Sequence, residues 1–276
     1  MRIAVTITLT DETITPVRLA RELEGRGFAG LCLPEHTHIP VERTTPFPGG
    51  GELGREYGRL IDPLVGLAQA AAVTSTLALG TGVLLVAQHD PIVLAKQIAT
   101  LDHLSGGRLT LGIGYGWNRE ELADHGIEWS ARRAVVHDRL ALMRALWAPE
   151  PTAHKGEHGS VRASLAHPKP FSGTAPGILI GGAAGPRLFA RIAESADGWI
   201  PVGGGGLPES LPLLRTAWEA AGRDPGTLRV VPFAVVPTPE KLAYYGELGL
   251  NEVVLRAPAG DETEVLRTLD TYARYL

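Results

Sequence analysis

A chain of 276 residues, 44% of them hydrophobic, can bury a large core, and one domain spanning 1–276 is expected over two small ones. The formal net charge of −4 gives no reason to expect a nucleic-acid or anionic-membrane partner, which leaves small-molecule chemistry. Cys32 is the only cysteine, so no internal disulfide can form, and a buried structural thiol is expected.

The chain starts MRIAVTITLTDE, with one basic residue and acids from Asp11 on, unlike a signal peptide, and no apolar run is of membrane-spanning length. A soluble cytoplasmic protein is expected. Residues 2–9 read as the first strand, and Thr15-Pro16 opens a helix that ends at Gly25 or Gly27. Residues 28–34 make the second strand. The polar, glycine-rich segment 35–59, containing PFPGGGELG, exceeds an ordinary connection and is a functional loop or disordered. Asp62-Pro63 starts the next helix.

Residues 77–86 form an apolar run of strand length interrupted by Gly80 and Gly82, which suggests close approach to the backbone there. Asp90-Pro91 caps a helix with Leu94, Ile98, Leu101 and Leu104 at helical spacing, ended by Ser105-Gly106-Gly107. Residues 108–113 are a fourth strand opening into Gly112-Ile113-Gly114-Tyr115-Gly116-Trp117-Asn118. A long helix from Ser130 carries the apolar stripe Val136, Leu140, Met143 and Trp147. Segment 149–176 reads as an irregular insertion.

The alternation then resumes with strand 178–180, helix 187–195, strand 198–201, helix 208–221, strand 228–236, helix 239–248, strand 252–255 and helix 262–275. Pro232 weakens the seventh of these strands because it has no ladder donor. Eight strand-helix pairs predict an α/β fold of the closed (β/α)8 TIM-barrel type rather than an open doubly wound sheet.

In such a barrel the residues after each strand converge on one mouth. They are Glu35, His36 and His38 after strand two, Gly82 to Leu84 late in strand three, Gly114 to Asn118 after strand four, and Gly181-Gly182 after strand five. Glycines dominate, so backbone donors line the mouth, which suits a flat cofactor with a phosphate tail. Gly181-Gly182-Ala183-Ala184-Gly185 runs into a helix and is the phosphate candidate, the alternative being a simple tight turn. Gly112-x-Gly114-x-Gly116 lacks the third glycine of the dinucleotide fingerprint. His36 and His38 share one face of an extended segment and could bind zinc, but strands one, four and eight end without further ligands, so no metal site is expected.

The runs GTGVLLV, HDPIVLAKQIATLDHLSGGRLTLGIGYGWNREEL and GGAAGPRLFARIAESADGWIP resemble the luciferase-like monooxygenase superfamily, more closely its coenzyme F420-dependent branch. The resemblance implies a (β/α)8 barrel with an insertion after the fourth βα unit. It implies hydride transfer between F420 and a small organic substrate, or, in the alternative, an FMN-dependent monooxygenase using reduced flavin and O2.

In similar enzymes an acid and a histidine follow strand two, which assigns Glu35 and His36 as catalytic, with His36 moving the proton. A non-prolyl cis peptide supporting the cofactor falls on Gly82-Val83. Ring contacts fall on Gly114, Tyr115 and Asn118, and tail contacts on Gly181, Gly182 and Ala183. Tyr115 stands where some sugar-phosphate dehydrogenases of the branch have glutamate, and Pro40 where they have tryptophan, which argues against their substrate. The resemblance further implies a homodimer and, for the flavin alternative, a separate cofactor reductase.

Overall fold

The helix starts legible in the chain, an acceptor residue followed by proline, are all present in the computed structural model, which describes residues 1–276. The first half runs β1 (Arg2–Thr6), α1 (Pro16–Arg26), β2 (Gly30–Leu33), α2 (Pro63–Val73), β3 (Ala78–Thr81), α3 (Pro91–Ser105), β4 (Leu109–Ile113), α4 (Arg119–Asp124) and α5 (Arg132–Trp147). A hairpin of β5 (His154–Lys155) and β6 (Ser160–Val161) follows. The second half is β7 (Gly177–Gly181), α6 (Pro186–Ser195), β8 (Gly198–Ile200), α7 (Leu207–Ala220), β9 (Arg229–Val230), α8 (Pro239–Glu247), β10 (Glu252–Arg256) and α9 (Glu262–Tyr272). The side chains of Thr15, Asp62, Asp90 and Thr238 accept N–H groups two or three residues on, which satisfies donors that the first helical turn leaves free.

Eight strands form one parallel sheet in the order β10-β1-β2-β3-β4-β7-β8-β9, a barrel with helices outside. The seam between β9 and β10 is irregular. β9 is only two residues long where 228–236 was expected, because Pro232 cannot donate and Ala234 adopts φ 57°. Single bridges, Val202 to Phe233 and Val235 to Leu255, carry the pairing past it.

β3 also differs from the expected ten-residue strand. Regular pairing stops at Thr81, the Gly82-Val83 peptide is cis, and a bridge from Leu84 to Ile113 follows before a 3-10 turn at Val86–Gln88. The helix expected from Ser130 begins at Arg132, and α4 ahead of it was not anticipated. Segment 149–176 holds the hairpin and a cis His167-Pro168 bond. No helix is long and apolar enough to cross a membrane.

Strand alternation decides what fills the barrel. The register brings Ala4, Cys32, Gly80 and Gly112 to the inner wall on one side, while Leu179, Ile200, Val231, Phe233 and Val254 pack from the other. Because the first wall is so small, a cavity of about 380 Å³ remains, opening past Arg2, Arg229 and Glu252 at the amino ends of the strands. It lies at the opposite end from the residues singled out above. Burial pushes the Cys32 thiol up to about 12, which keeps it protonated near neutral pH. Asp102 is buried and structural, accepting Leu109 N–H at 3.4 Å and Phe171 N–H at 2.9 Å, while the Arg108 guanidinium donates instead to oxygens of Ser105, Thr74, Leu77 and Ala71.

Candidate active site

The bulge after β3 places Val83 at the carboxyl end of the barrel between two glycines. A Cβ on Gly114 would lie 2.4 Å from Val83 Cγ2, and one on Gly181 would lie 3.3 Å from Val83 Cγ1. A Cβ on Gly82 would lie 2.1 Å from Phe233 Cζ. A side chain at Gly82 or Gly114 would therefore force Phe233 or Val83 to shift, and three strands close on one half-buried valine.

Glu35 supports this bulge from below. Its buried carboxylate accepts Leu85 N–H at 2.5 Å and meets His89 Nε2 at 2.7 Å. Burial opposes a charged His89, but the hydrogen bond and charge of Glu35 outweigh it and raise the His89 pKa. A raised histidine pKa contributes stability that is fully present below the ordinary value of about 6.5 and is lost as pH rises through the folded-state value. His89→Gln is thus expected to lower the urea midpoint most near pH ~6, with the deficit fading in alkaline buffer. A deficit that grows with pH would contradict this linkage.

His36, next along the extended segment, turns the other way, toward α4. Its Nδ1 lies 2.7 Å from Glu121 Oε2, with the two side chains 7% and 1% exposed. The other Glu121 oxygen accepts Thr37 N–H at 3.2 Å, and Trp117 Nε1 lies 3.2 Å from His36 Nε2. His38 does share a side with His36, as their spacing predicts, but it meets Asp124 at 2.9 Å. Glu121 and Asp124 sit one helical turn apart on α4, so the two histidines pair with two carboxylates. No group of three or more His, Cys, Asp or Glu residues is arranged to hold a metal ion.

The polar residues of α4 and its flanks face the loop after β2. Glu120 Oε1 accepts Thr44 N–H at 2.7 Å and Thr44 Oγ1–H at 2.8 Å, and Oε2 accepts Thr45 Oγ1–H at 2.6 Å. The Thr45 hydroxyl, followed by the Thr44 amide, holds the Glu120 carboxyl down at about 2. Thr37 Oγ1 meets His125 Nε2 at 2.8 Å. The loop's Phe47 stacks edge-on against Trp117 at 5.7 Å and Tyr57 at 5.2 Å, and Tyr57 lies 5.8 Å from the His36 ring. Segment 35–59 is therefore an ordered cover over His36, fastened to α4.

Asn118 caps α4, its Oδ1 accepting Glu121 N–H at 3.3 Å, while its Nδ2 is buried without a partner. Tyr115 Oη lies 3.0 Å from His137 Nε2. Burial pushes the Tyr115 pKa up, and burial with nearby Arg191 pushes the His137 pKa down, which keeps both uncharged near neutral pH. Gly182 and Ala183 form an exposed turn ahead of α6, with Gly181 buried beneath Val83. The structure thus gathers Glu35, His36, Gly82, Val83, Gly114, Tyr115, Asn118, Gly181, Gly182 and Ala183 at the carboxyl ends of β2, β3, β4 and β7. Sequence reasoning missed Glu120, Glu121 and His89, and placed Trp117 at the mouth without giving it a role. The Asn118-x-x-Glu121 spacing, a helix-start signature, was the available signal for α4.

A parallel barrel with its titratable and glycine-lined groups at the strand carboxyl ends defines an enzyme of the barrel-mouth type. More particularly, the chain belongs to the luciferase-like monooxygenase family, whose model matches residues 11–241. An uncharacterized protein of Mycobacterium tuberculosis is 45% identical over 253 residues, covering 90% of this chain and 89% of the relative. Among solved structures, a monooxygenase from Streptomyces bottropensis superposes with a TM-score of 0.80 at 22% identity over 100% of this chain and 98% of that one. An F420-dependent secondary alcohol dehydrogenase with an F420-acetone adduct gives 0.67 at 16% identity, over 99% of this chain and 90% of that one. The oxygenating constituent of 3,6-diketocamphane monooxygenase from Pseudomonas putida, in complex with FMN, gives 0.66 at 18% identity, over 89% and 70%. At these identities the structural likenesses show the fold. The chain is an oxidoreductase of the luciferase-like superfamily, some of whose members use F420 and others FMN.

Proposed function

We propose that this oxidoreductase uses coenzyme F420 to move a hydride to or from a small organic substrate, with His36 carrying the accompanying proton. The observation that supports it most is a buried histidine on a carboxylate beside a half-buried apolar platform, Val83 between Gly114 and Gly181, within one barrel mouth. The chain's own residues fit a flat heteroaromatic ring. Val83 offers an apolar surface, Asn118 Nδ2 is a buried donor that lacks an acceptor, and Tyr115 presents an uncharged edge. Gly181, Gly182 and Ala183 would hold the phosphate-bearing tail. The bound coenzyme supplies the hydride chemistry; the protein binds, orients, excludes water with segment 35–59 and moves the proton. Within that division Glu35 supports the bulge and His36 faces the reaction.

The FMN reading shares this scaffold and adds O2 and a separate reductase, and the FMN-bound relative keeps it in view. A homodimer in the cytoplasm is the proposed working form under either reading. Titrating the protein with each coenzyme and following tryptophan quenching is the test. F420 is expected to bind at least about tenfold tighter than FMN, a difference of ~1.4 kcal/mol. Tighter FMN binding, with reduced-flavin oxidation accelerated by the protein, would move the assignment to the monooxygenase.

A further inference from the structure

The cavity at the amino ends of the strands takes no part in the barrel mouth, and it is not filled as barrel interiors usually are. Layers of branched side chains ordinarily occupy that space. Here the inward positions of β1, β2 and β3 are Ala4, Cys32, Ala78 and Gly80, and about 380 Å³ stays open. A void of about 150 Å³ lined by aliphatic and aromatic side chains already holds benzene, so this one has room for a longer apolar body. Leu179, Ile200, Val231 and Val254 wall its other side, and Phe233 closes it toward the mouth.

The open end carries charge. Arg229 donates from Nε to Glu252 Oε1 at 2.9 Å and from Nη2 to Glu252 Oε2 at 3.0 Å, which fastens β9 to β10 across the seam. That pair uses two of the three guanidinium nitrogens. Nη1 is left over on the side of Gly177, where a Cβ would lie 3.3 Å from it. Arg2 is held more loosely still, its side chain 63% exposed and its Nη1 4.0 Å from Glu252. The charged residues lining the cavity are three arginines, Arg2, Arg108 and Arg229, against the one Glu252, so the rim favours an anion. Higher up, the polar side chains are Cys32 and Thr81, and the Thr81 hydroxyl already donates to Gly112 O at 2.9 Å. A second charge would find no partner there.

We propose that this cavity is a second ligand site, for a monocarboxylate with a slim apolar tail. The carboxylate meets Arg229 Nη1 and Arg2, whose planar forks suit it, and the tail runs up the barrel axis to Phe233. Phe233 also stands against Gly82, so a tail beneath the ring opposes any downward movement of the bulge.

Isothermal titration calorimetry of the coenzyme-free protein with sodium octanoate tests this, and its outcome is independent of the coenzyme titration. Binding at a single site is expected, with octan-1-ol and octylammonium at least about tenfold weaker, the effect of one charge-assisted hydrogen bond. Arg2→Gln should weaken octanoate binding more at low salt than at high salt. Ala4→Leu, which puts a branched side chain into the open middle, should abolish it. Gly82→Ala should weaken it, because the added methyl drives Phe233 into the same space. In mildly alkaline buffer octanoate should also protect Cys32, the single thiol, from methyl methanethiosulfonate, read by intact mass.

Octan-1-ol or octylammonium binding as tightly as octanoate overturns the carboxylate assignment. No binding of octanoate, undiminished binding to a folded Ala4→Leu, or a bound state that leaves Cys32 unprotected overturns the site. A thiol that stays unreacted without octanoate would show the cavity closed to small molecules and overturns it as well. Should Ala4→Leu fail to fold, the protection of Cys32 in the wild-type protein still decides.

Discussion

His36→Ala is expected to lower turnover by about 10²–10⁴-fold, the contribution of a positioned acid-base group. The variant removes more than the proposed proton carrier. It leaves the Glu121 oxygen, on a side chain 1% exposed, and the Trp117 N–H without the ring between them. A buried polar group stripped of its partner costs about 1–3 kcal/mol, so a lower urea midpoint should accompany the activity loss. The two effects separate by temperature: turnover measured well below the melting transition reports the chemistry alone. Coenzyme affinity should change much less than turnover, because the proposed ring and tail contacts are Val83, Asn118 and the Gly181 turn. Turnover within tenfold of wild type, in a folded variant, would remove His36 from the reaction.

Much of the barrel was legible because its signals are local. Thr15, Asp62, Asp90 and Thr238 each stand before a proline, and each caps a helix. Such a cap needs only three or four neighbouring residues, so the sequence carries all of its physics. The interruption at Gly82 was legible for a related reason, since glycine in an apolar run marks a place where no side chain fits, and Phe233 is what occupies that place.

The site itself was legible only in part, because its contacts are long in sequence. Glu121, on a helix of six residues too short for hydrophobic periodicity to register, and Trp117, just ahead of that helix, reach His36 from 85 and 81 residues away. Glu35 and His36 were read as one catalytic pair from the resemblance, which carries no information on where each side chain points. Successive side chains in an extended segment point to opposite sides, so one turned to the bulge and the other to α4. That same alternation explains why His36 and His38 share a side, and only the fold could show that the side is lined by carboxylates. At the seam, Pro232 signalled a weak strand but could not show how the barrel closes around it.

Gly82→Ala tests how tightly the platform depends on the barrel interior. The added methyl would sit 2.1 Å from Phe233 Cζ and 2.5 Å from Cε2, well inside contact distance. Phe233 is 5% exposed and packed with Leu179, Ile200, Val231 and Val254, so it cannot slide sideways. Its freedom lies downward, because the ring also lines the cavity of about 380 Å³ beneath it. Tilting into that space trades overlap for lost contacts, and overpacking of this kind costs about 1–3 kcal/mol. The expected result is a stability loss in that range together with weakened coenzyme binding, since Val83 moves with Gly82. Phe233→Leu should cost stability alone yet relieve the alanine, so the double variant is expected to be at least ~1 kcal/mol more stable than the sum of the singles predicts. Simple additivity in that cycle would mean that the methyl is accommodated elsewhere and that Phe233 is not the wall against which the bulge is built.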